Sequence, residues 1–150
     1  MRLTPIGIGE APTLLALMQL MQLDDPWSVP FDEPRALAAV ELLLQNPNYG
    51  LAWFIEHEDD CIGYIALSFD FSLEYGGRNA WIDEFFILPE FRSRGLGAQA
   101  LQLFEQEARN AGATAIHLGV NLGNPAEHLY ERCGYEGHSR YWMTKFLPEE

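Results

Sequence analysis

Between Trp81 and Ala98 the chain reads Trp-Ile-Asp-Glu-Phe-Phe-Ile-Leu-Pro-Glu-Phe-Arg-Ser-Arg-Gly-Leu-Gly-Ala. An apolar strand runs into a Pro-containing turn, two arginines and two spaced glycines, and then opens a long amphipathic helix. A glycine-rich turn at a helix start leaves several backbone N–H groups without intrahelical partners, at the positive end of the helix dipole. Such a turn is an anion site, best suited to phosphates.

The surrounding pattern is mixed. Residues 2–6 read as a short edge strand, and apolar residues at helical spacing from Glu10 to Leu23 predict an amphipathic helix. A second helix is expected from Glu33 to Gln45, stopped by Asn46-Pro47-Asn48. Leu51 to Glu56 and Cys61 to Phe69 flank the polar turn His57-Glu58-Asp59-Asp60 and predict an antiparallel hairpin. After a loop from Asp70 to Asn79, Ala80 to Leu88 reads as a central strand, residues 95–111 as a helix and Thr114 to Val120 as another strand. Asn124-Pro125-Ala126-Glu127 carries the marks of a helix start, and Gly134 those of its end. Residues 135–147 are expected to form one or two final strands. The order implies an α/β (α+β) fold in a single domain spanning residues 1–150, with a mixed sheet flanked by helices.

Composition narrows the function. The net charge of −13 disfavours nucleic acid and anionic membranes as partners and favours cationic ligands. No run of about 18 apolar residues predicts a membrane span. Cys61 and Cys133 read as free thiols of a cytoplasmic protein. The nine basic residues are sparse, yet Arg92 and Arg94 sit beside the glycine pair. A local positive spot on an acidic chain is easier to explain by a bound anion than by chance, the alternative being solvated surface arginines.

Gly95-Leu96-Gly97-Ala98-Gln99-Ala100 spells the dinucleotide fingerprint G-x-G-x-x-[GA], but in the wrong context. In a nucleotide-binding turn the first glycine follows the strand directly and an acid about 20 residues later holds the ribose. Here seven residues, Leu88 to Arg94, intervene, and no acid lies between Ala108 and Ala126. A nucleotide-dependent oxidoreductase is therefore disfavoured. No Gly-Lys-[Ser/Thr] occurs, and the four histidines and two cysteines lack metal-ligand spacing, so no metal is expected.

Arg92-x-x-Gly95-x-Gly97 after a strand and a Pro-Glu turn resembles motif A, [QR]-x-x-G-x-[GA], of the GNAT superfamily of N-acetyltransferases. Asn121 to Tyr135 resembles its motif B, N-x-x-A-x-x-L-Y-x-x-x-G-[FY], in the right order after one helix and one strand. The resemblance implies a mostly antiparallel twisted sheet of about six or seven strands with about four helices. It also implies direct transfer of an acetyl group from acetyl-CoA to a primary amine, and a homodimer is compatible with it. Carried over residue by residue, Arg92, Ser93, Arg94, Gly95, Leu96, Gly97 and Ala98 would hold the CoA pyrophosphate. Phe86, Ile87 and Leu88 would meet the pantetheine arm, with a backbone N–H near Phe86 stabilising the thioester oxyanion. Asn124 would bond the amide arm, although its helix-capping role already explains it. Tyr130 would protonate the departing thiolate, the alternative being a half-buried helix aromatic.

The general base is sought among adjacent acids. Asp83 and Glu84 face opposite sides of a strand, and an acid in an apolar strand requires a partner or a cleft. Glu84 matches the acid that many GNAT members carry near the strand bulge; Asp83 is the second candidate, because a one-residue register slip exchanges their faces. For either, a salt bridge to Arg78 is the competing explanation. Asp24, Asp25, Trp27, Asp32, Glu33, Glu74 and Tyr75 combine acids with aromatics in two loops and would attract a cationic amine on a small molecule or protein. A solvated acidic rim explains any one of them as well. The absence of a cysteine–histidine pair points to a ternary complex rather than an acyl-enzyme. The alternative to an enzyme is a non-catalytic acyl-CoA-binding module of the same fold.

Overall fold

The computed structural model describes residues 1–148. The chain forms two units, Met1–Gly119 and a second that begins at Val120. In the first unit five strands lie side by side: β1 (Arg2–Pro5), β2 (Gly50–His57), β3 (Asp60–Ser72), β4 (Gly77–Ile87) and β5 (Ile116–Leu118). Neighbours from β1 to β4 are antiparallel, while β4 and β5 are parallel, joined through α3 (Leu96–Asn110). Helices α1 (Ala11–Asp24) and α2 (Glu33–Gln45) connect β1 to β2.

The two faces of the sheet bury different helices. Ala52, Phe54, Tyr64, Ala66 and Phe86 share a core with Leu14, Leu15, Met18 and Met21 of α1 and with Ala36 and Val40 of α2. The alternate residues Trp53, Ile55, Ile65 and Leu67 are also buried. On that face Trp53 meets Phe104 of α3 edge-on at 6.1 Å. Asp32 caps α2 by accepting the Arg35 N–H at 2.8 Å, and Pro34 follows in the first turn, where its missing N–H is not needed. Thus both helices start and stop where the sequence predicts, within a residue.

The second unit contains α4 (Ala126–Arg132). It opens one residue later than expected, but Asn124 still caps it: its Oδ1 accepts the Ala126 N–H at 2.9 Å. The helix ends with Gly134 N–H bonded to Glu131 O and Tyr135 N–H to Tyr130 O, both at 3.0 Å. That is a Schellman ending.

Two expectations are corrected. The sheet has five strands among the described residues, not six or seven. Residues 135–147 form neither helix nor strand. A strand exists through the ladder that it makes, and the extended, aromatic-rich composition of this stretch does not supply a ladder by itself. No helix among the described residues is long and apolar enough to cross a membrane.

Candidate active site

The site is organised by one extra residue in β4. Ala66 of β3 faces Glu84 and Leu67 faces Ile82, which leaves Asp83 as a β-bulge. On the hairpin side of the bulge, the Ala80 N–H donates to Ala115 O and the Thr114 N–H to Arg78 O, each at 2.9 Å, so even-numbered residues turn their backbone toward β5. Beyond it the parity reverses. Leu88 N–H donates to Ile62 O at 2.8 Å, on the β3 side, while Ile87 O faces the other way and accepts from Arg92 Nε at 2.7 Å. Alternation then places the Phe86 N–H in the ladder with Tyr64 and turns the N–H groups of Phe85 and Ile87 outward. Because β5 pairs with β4 only from Ala80 to Ile82, this outward edge runs on past the end of the parallel pairing.

Glu84 follows the bulge and reaches the α1 side of the sheet. Its Oε2 accepts from the Tyr64 hydroxyl and its Oε1 from the Trp27 indole N–H, both at 2.7 Å. Tyr64 is fully buried and also contacts Met21 Sδ at 3.3 Å. Arg78, the expected ion-pair partner, is engaged elsewhere: its guanidinium lies 3.8 Å from the Phe69 ring centroid and donates to Ala111 O. Glu84 is therefore a carboxyl held by two neutral donors, with no salt bridge to a cation among the described residues.

Burial pushes the Glu84 pKa up to about 7, and the neighbouring Asp83 carboxylate adds to the rise; the hydrogen bonds from Tyr64 and Trp27 act against it. Asp83 itself reaches solvent, yet the protein packed around it removes enough water to raise its carboxyl above the usual range. Tyr64 is pushed upward by burial and by Glu84, so it stays a donor throughout the working range. A carboxyl poised near neutrality suits a general base. It also makes stability pH-dependent. The folded chain binds the Glu84 proton more tightly than the unfolded one, so its contribution is complete below pH 4.5 and lost as pH rises through about 7. Urea titrations across that window should show stability falling by about 3 kcal/mol more in the native chain than in Glu84→Gln. Parallel pH dependences would refute the raised pKa.

After β4 the chain turns through a short 3-10 segment, Pro89–Phe91, into the glycine pair. Ser93 and Gly95 both have positive φ, 59° and 75°, and Gly95 is the residue that starts α3. A side chain at Gly95 would strain this turn. Gln99 N–H bonds to Gly95 O, so the N–H groups of Leu96, Gly97 and Ala98 precede the first helical bond. Arg92 ties this turn down: besides Ile87 O, it pairs with Asp24 at the end of α1, Nη2 to Oδ2 at 2.6 Å. Arg94 lies 5.7 Å from the Phe91 ring centroid.

The structure unites some predicted residues and separates others. Trp27 and Glu84 come together, joined by Tyr64, which strand patterning marks only as core. Asp24 meets Arg92, a pairing of positions 68 apart with no local signal. Three acids expected to face an amine have internal tasks: Asp24 holds Arg92, Asp32 caps α2, and Glu33 accepts from Gln19 at 3.1 Å. Asp25 ends α1 with its N–H on Met21 O. Glu74 and Tyr75 lie in the turn between β3 and β4, at the opposite end of β4 from Ile87, with the Tyr75 ring 4.6 Å from His117. In the second unit, Tyr130 lies in the last turn of α4 and its ring meets that of Tyr135 at 5.8 Å. Counted back from Tyr130, Asn124 stands one place nearer than the motif's asparagine, and its side chain is used as the helix cap. Burial raises the Cys61 thiol pKa, which weakens it as a nucleophile.

Comparison with known proteins gives these features a lineage. The model of the acetyltransferase (GNAT) family matches residues 14–135. An aminoalkylphosphonate N-acetyltransferase of Salmonella typhimurium is 34% identical over 110 residues, covering 73% of this chain and 69% of that protein. The crystal structure of an integron cassette protein from the mobile metagenome of Cole Harbour Salt Marsh superimposes with a TM-score of 0.82 at 31% identity, covering 99% of this chain and 91% of that one. A predicted acetyltransferase of Clostridium acetobutylicum, crystallised with acetyl-CoA, shares the fold with a TM-score of 0.78 at 18% identity, covering 96% of this chain and 95% of the other. A single family model running across most of the residues, both motifs included, leads to one conclusion: the chain belongs to the GNAT family of N-acetyltransferases, enzymes that take the acetyl group from acetyl-CoA.

Proposed function

We propose that this chain moves an acetyl group from acetyl-CoA directly to a primary amine of a small molecule or protein, and that Glu84 is the base. The observation that carries the reading is a carboxyl of pKa about 7, held by both oxygens beside the outward edge of β4. Both units are assigned to one acetyltransferase domain, since one family model spans them.

The chain's own groups suit the cofactor. The free N–H groups at the start of α3, with the turn opened by Gly95, suit a pyrophosphate. The outward N–H groups of Phe85 and Ile87 suit a peptide-like arm and an oxygen that gains negative charge. When bound, acetyl-CoA supplies an acetyl group activated as a thioester. Glu84 accepts the proton of an ammonium whose pKa is near 10, directly or through water, and frees the nitrogen lone pair for C–N bond formation. Tyr130 is assigned the proton that the departing sulfur takes as the C–S bond breaks, a role resting on its place in the second motif.

A cationic acceptor is favoured by the net charge of −13 and by the Glu84 carboxylate rather than by the loop acids, three of which are committed internally. The relative that acetylates aminoalkylphosphonates adds a zwitterionic amine to the candidates. The test is release of CoA thiol over a panel of alkylamines, polyamines, aminoalkylphosphonates, aminoglycosides and lysine peptides. Thiol release matched by an N-acetylated product is expected for at least one amine, with Tyr130→Phe slower by roughly 100-fold. CoA binding without release on any amine would leave a non-catalytic binding module instead, and an undiminished Tyr130→Phe would remove that residue from the chemistry.

A further inference from the structure

Glu84 is held from two directions, and one of them is not the sheet. Tyr64 comes from β3, but Trp27 comes from the connection between α1 and α2, 57 positions away in sequence. Trp27 is itself fixed at three points. Its backbone N–H donates to Gln22 Oε1 at 2.9 Å, its ring centroid lies 5.3 Å from that of Phe31, and its indole N–H is on Glu84. The root of the same connection is pinned by the Asp24–Arg92 pair. An indole N–H donates and never accepts, so this contact favours the carboxylate over the carboxylic acid.

We propose that Trp27 is a positioning residue for the base, holding Glu84 Oε1 while Tyr64 holds Oε2, so that the connection between α1 and α2 keeps the carboxylate charged and aimed. The alternative for an aromatic in an acid-rich loop, a face for the cationic acceptor, leaves the indole N–H unexplained. The titratable groups acting on Glu84 are Tyr64 from β3 and Asp83 from its own strand, while α1 contributes the neutral Met21 against Tyr64. Asp83 raises the Glu84 pKa, and Tyr64 and Trp27 lower it. A charge-assisted hydrogen bond of this kind is worth about one pH unit in the pKa of its acceptor.

The proposal rests on the reading of Glu84 as base only for its kinetic arm, so two readouts separate them. The first is a 13C NMR titration of the Glu84 side-chain carboxyl, assigned with Glu84→Gln, in the full chain and in Trp27→Phe. The phenyl ring keeps an aromatic face toward Phe31 and removes the indole N–H together with part of the ring. The Glu84 midpoint is expected to rise by about one pH unit, and likewise in Tyr64→Phe, which covers the case of a poorly folded Trp27 variant. The second is the acidic limb of kcat/KM, which should move by the same amount. An NMR shift without movement of the kinetic limb keeps the positioning role and removes Glu84 as base. An unmoved NMR midpoint in a folded Trp27→Phe overturns the proposal.

Discussion

Glu84→Gln is expected to lower kcat/KM for the amine by roughly 100-fold or more at pH 8, because the amide cannot take the ammonium proton. The substitution is close to isosteric, and the surroundings can accommodate it. The amide oxygen still accepts the Trp27 indole N–H, while the Tyr64 hydroxyl turns to accept from the new NH2 and donates to Met21 Sδ. Binding of the acetyl donor, which involves other groups, should change little. The pH profile is the sharper readout. In the native chain kcat/KM should climb about tenfold per pH unit until pH approaches the Glu84 value of about 7. That limb should vanish in the variant. A limb that survives in Glu84→Gln would transfer the role to another group, with Asp83 the first to test.

Gly63→Ala is expected to destabilise the molecule strongly. A Cβ at Gly63 would lie 2.0 Å from Phe86 O and 3.0 Å from Ile87 Cα, both backbone atoms of the strand whose outer edge forms the site. No rotamer relieves a backbone clash, so β3 and β4 must part there. The loss should be about 3 kcal/mol or more, a fall in Tm of about 6 °C or more for a chain of this size. Gly9→Ala is the control: nothing lies within 4 Å of its Cβ position, and a change under about 0.5 kcal/mol is expected. A Gly63→Ala protein as stable as this control would contradict the β3–β4 register.

Much of this was readable from residue order because the signals are local. Helical spacing and capping residues located α1, α2 and α3, and the turn before α3 was legible from its glycines. What could not be read is the geometry that joins distant positions. Tyr64 looks like any apolar strand residue, yet its hydroxyl meets Glu84, 20 positions on. Trp27 reads as an aromatic offered to a ligand, and only the fold shows its N–H spent on Glu84. Asp32 and Glu33 carry the same charge whether they face a substrate or secure a helix. The aromatic-rich stretch from 135 to 147 has strand composition without a strand, since pairing is a property of two segments.

The bulge at Asp83 has a consequence of a different kind. Its contribution to the site is a count rather than a side chain: one surplus residue sets two positions of β4 against one of β3 immediately before Glu84. Substitutions at position 83 leave that count intact, whereas removing the residue would close Ile82 and Glu84 into a regular ladder against Leu67 and Ala66 and take away the local bend and extra twist that a bulge gives its strand. In this strand, drift by single-residue exchange and drift by insertion or deletion are therefore unequal hazards. A lineage can try any letter at the bulge, but it must keep the place.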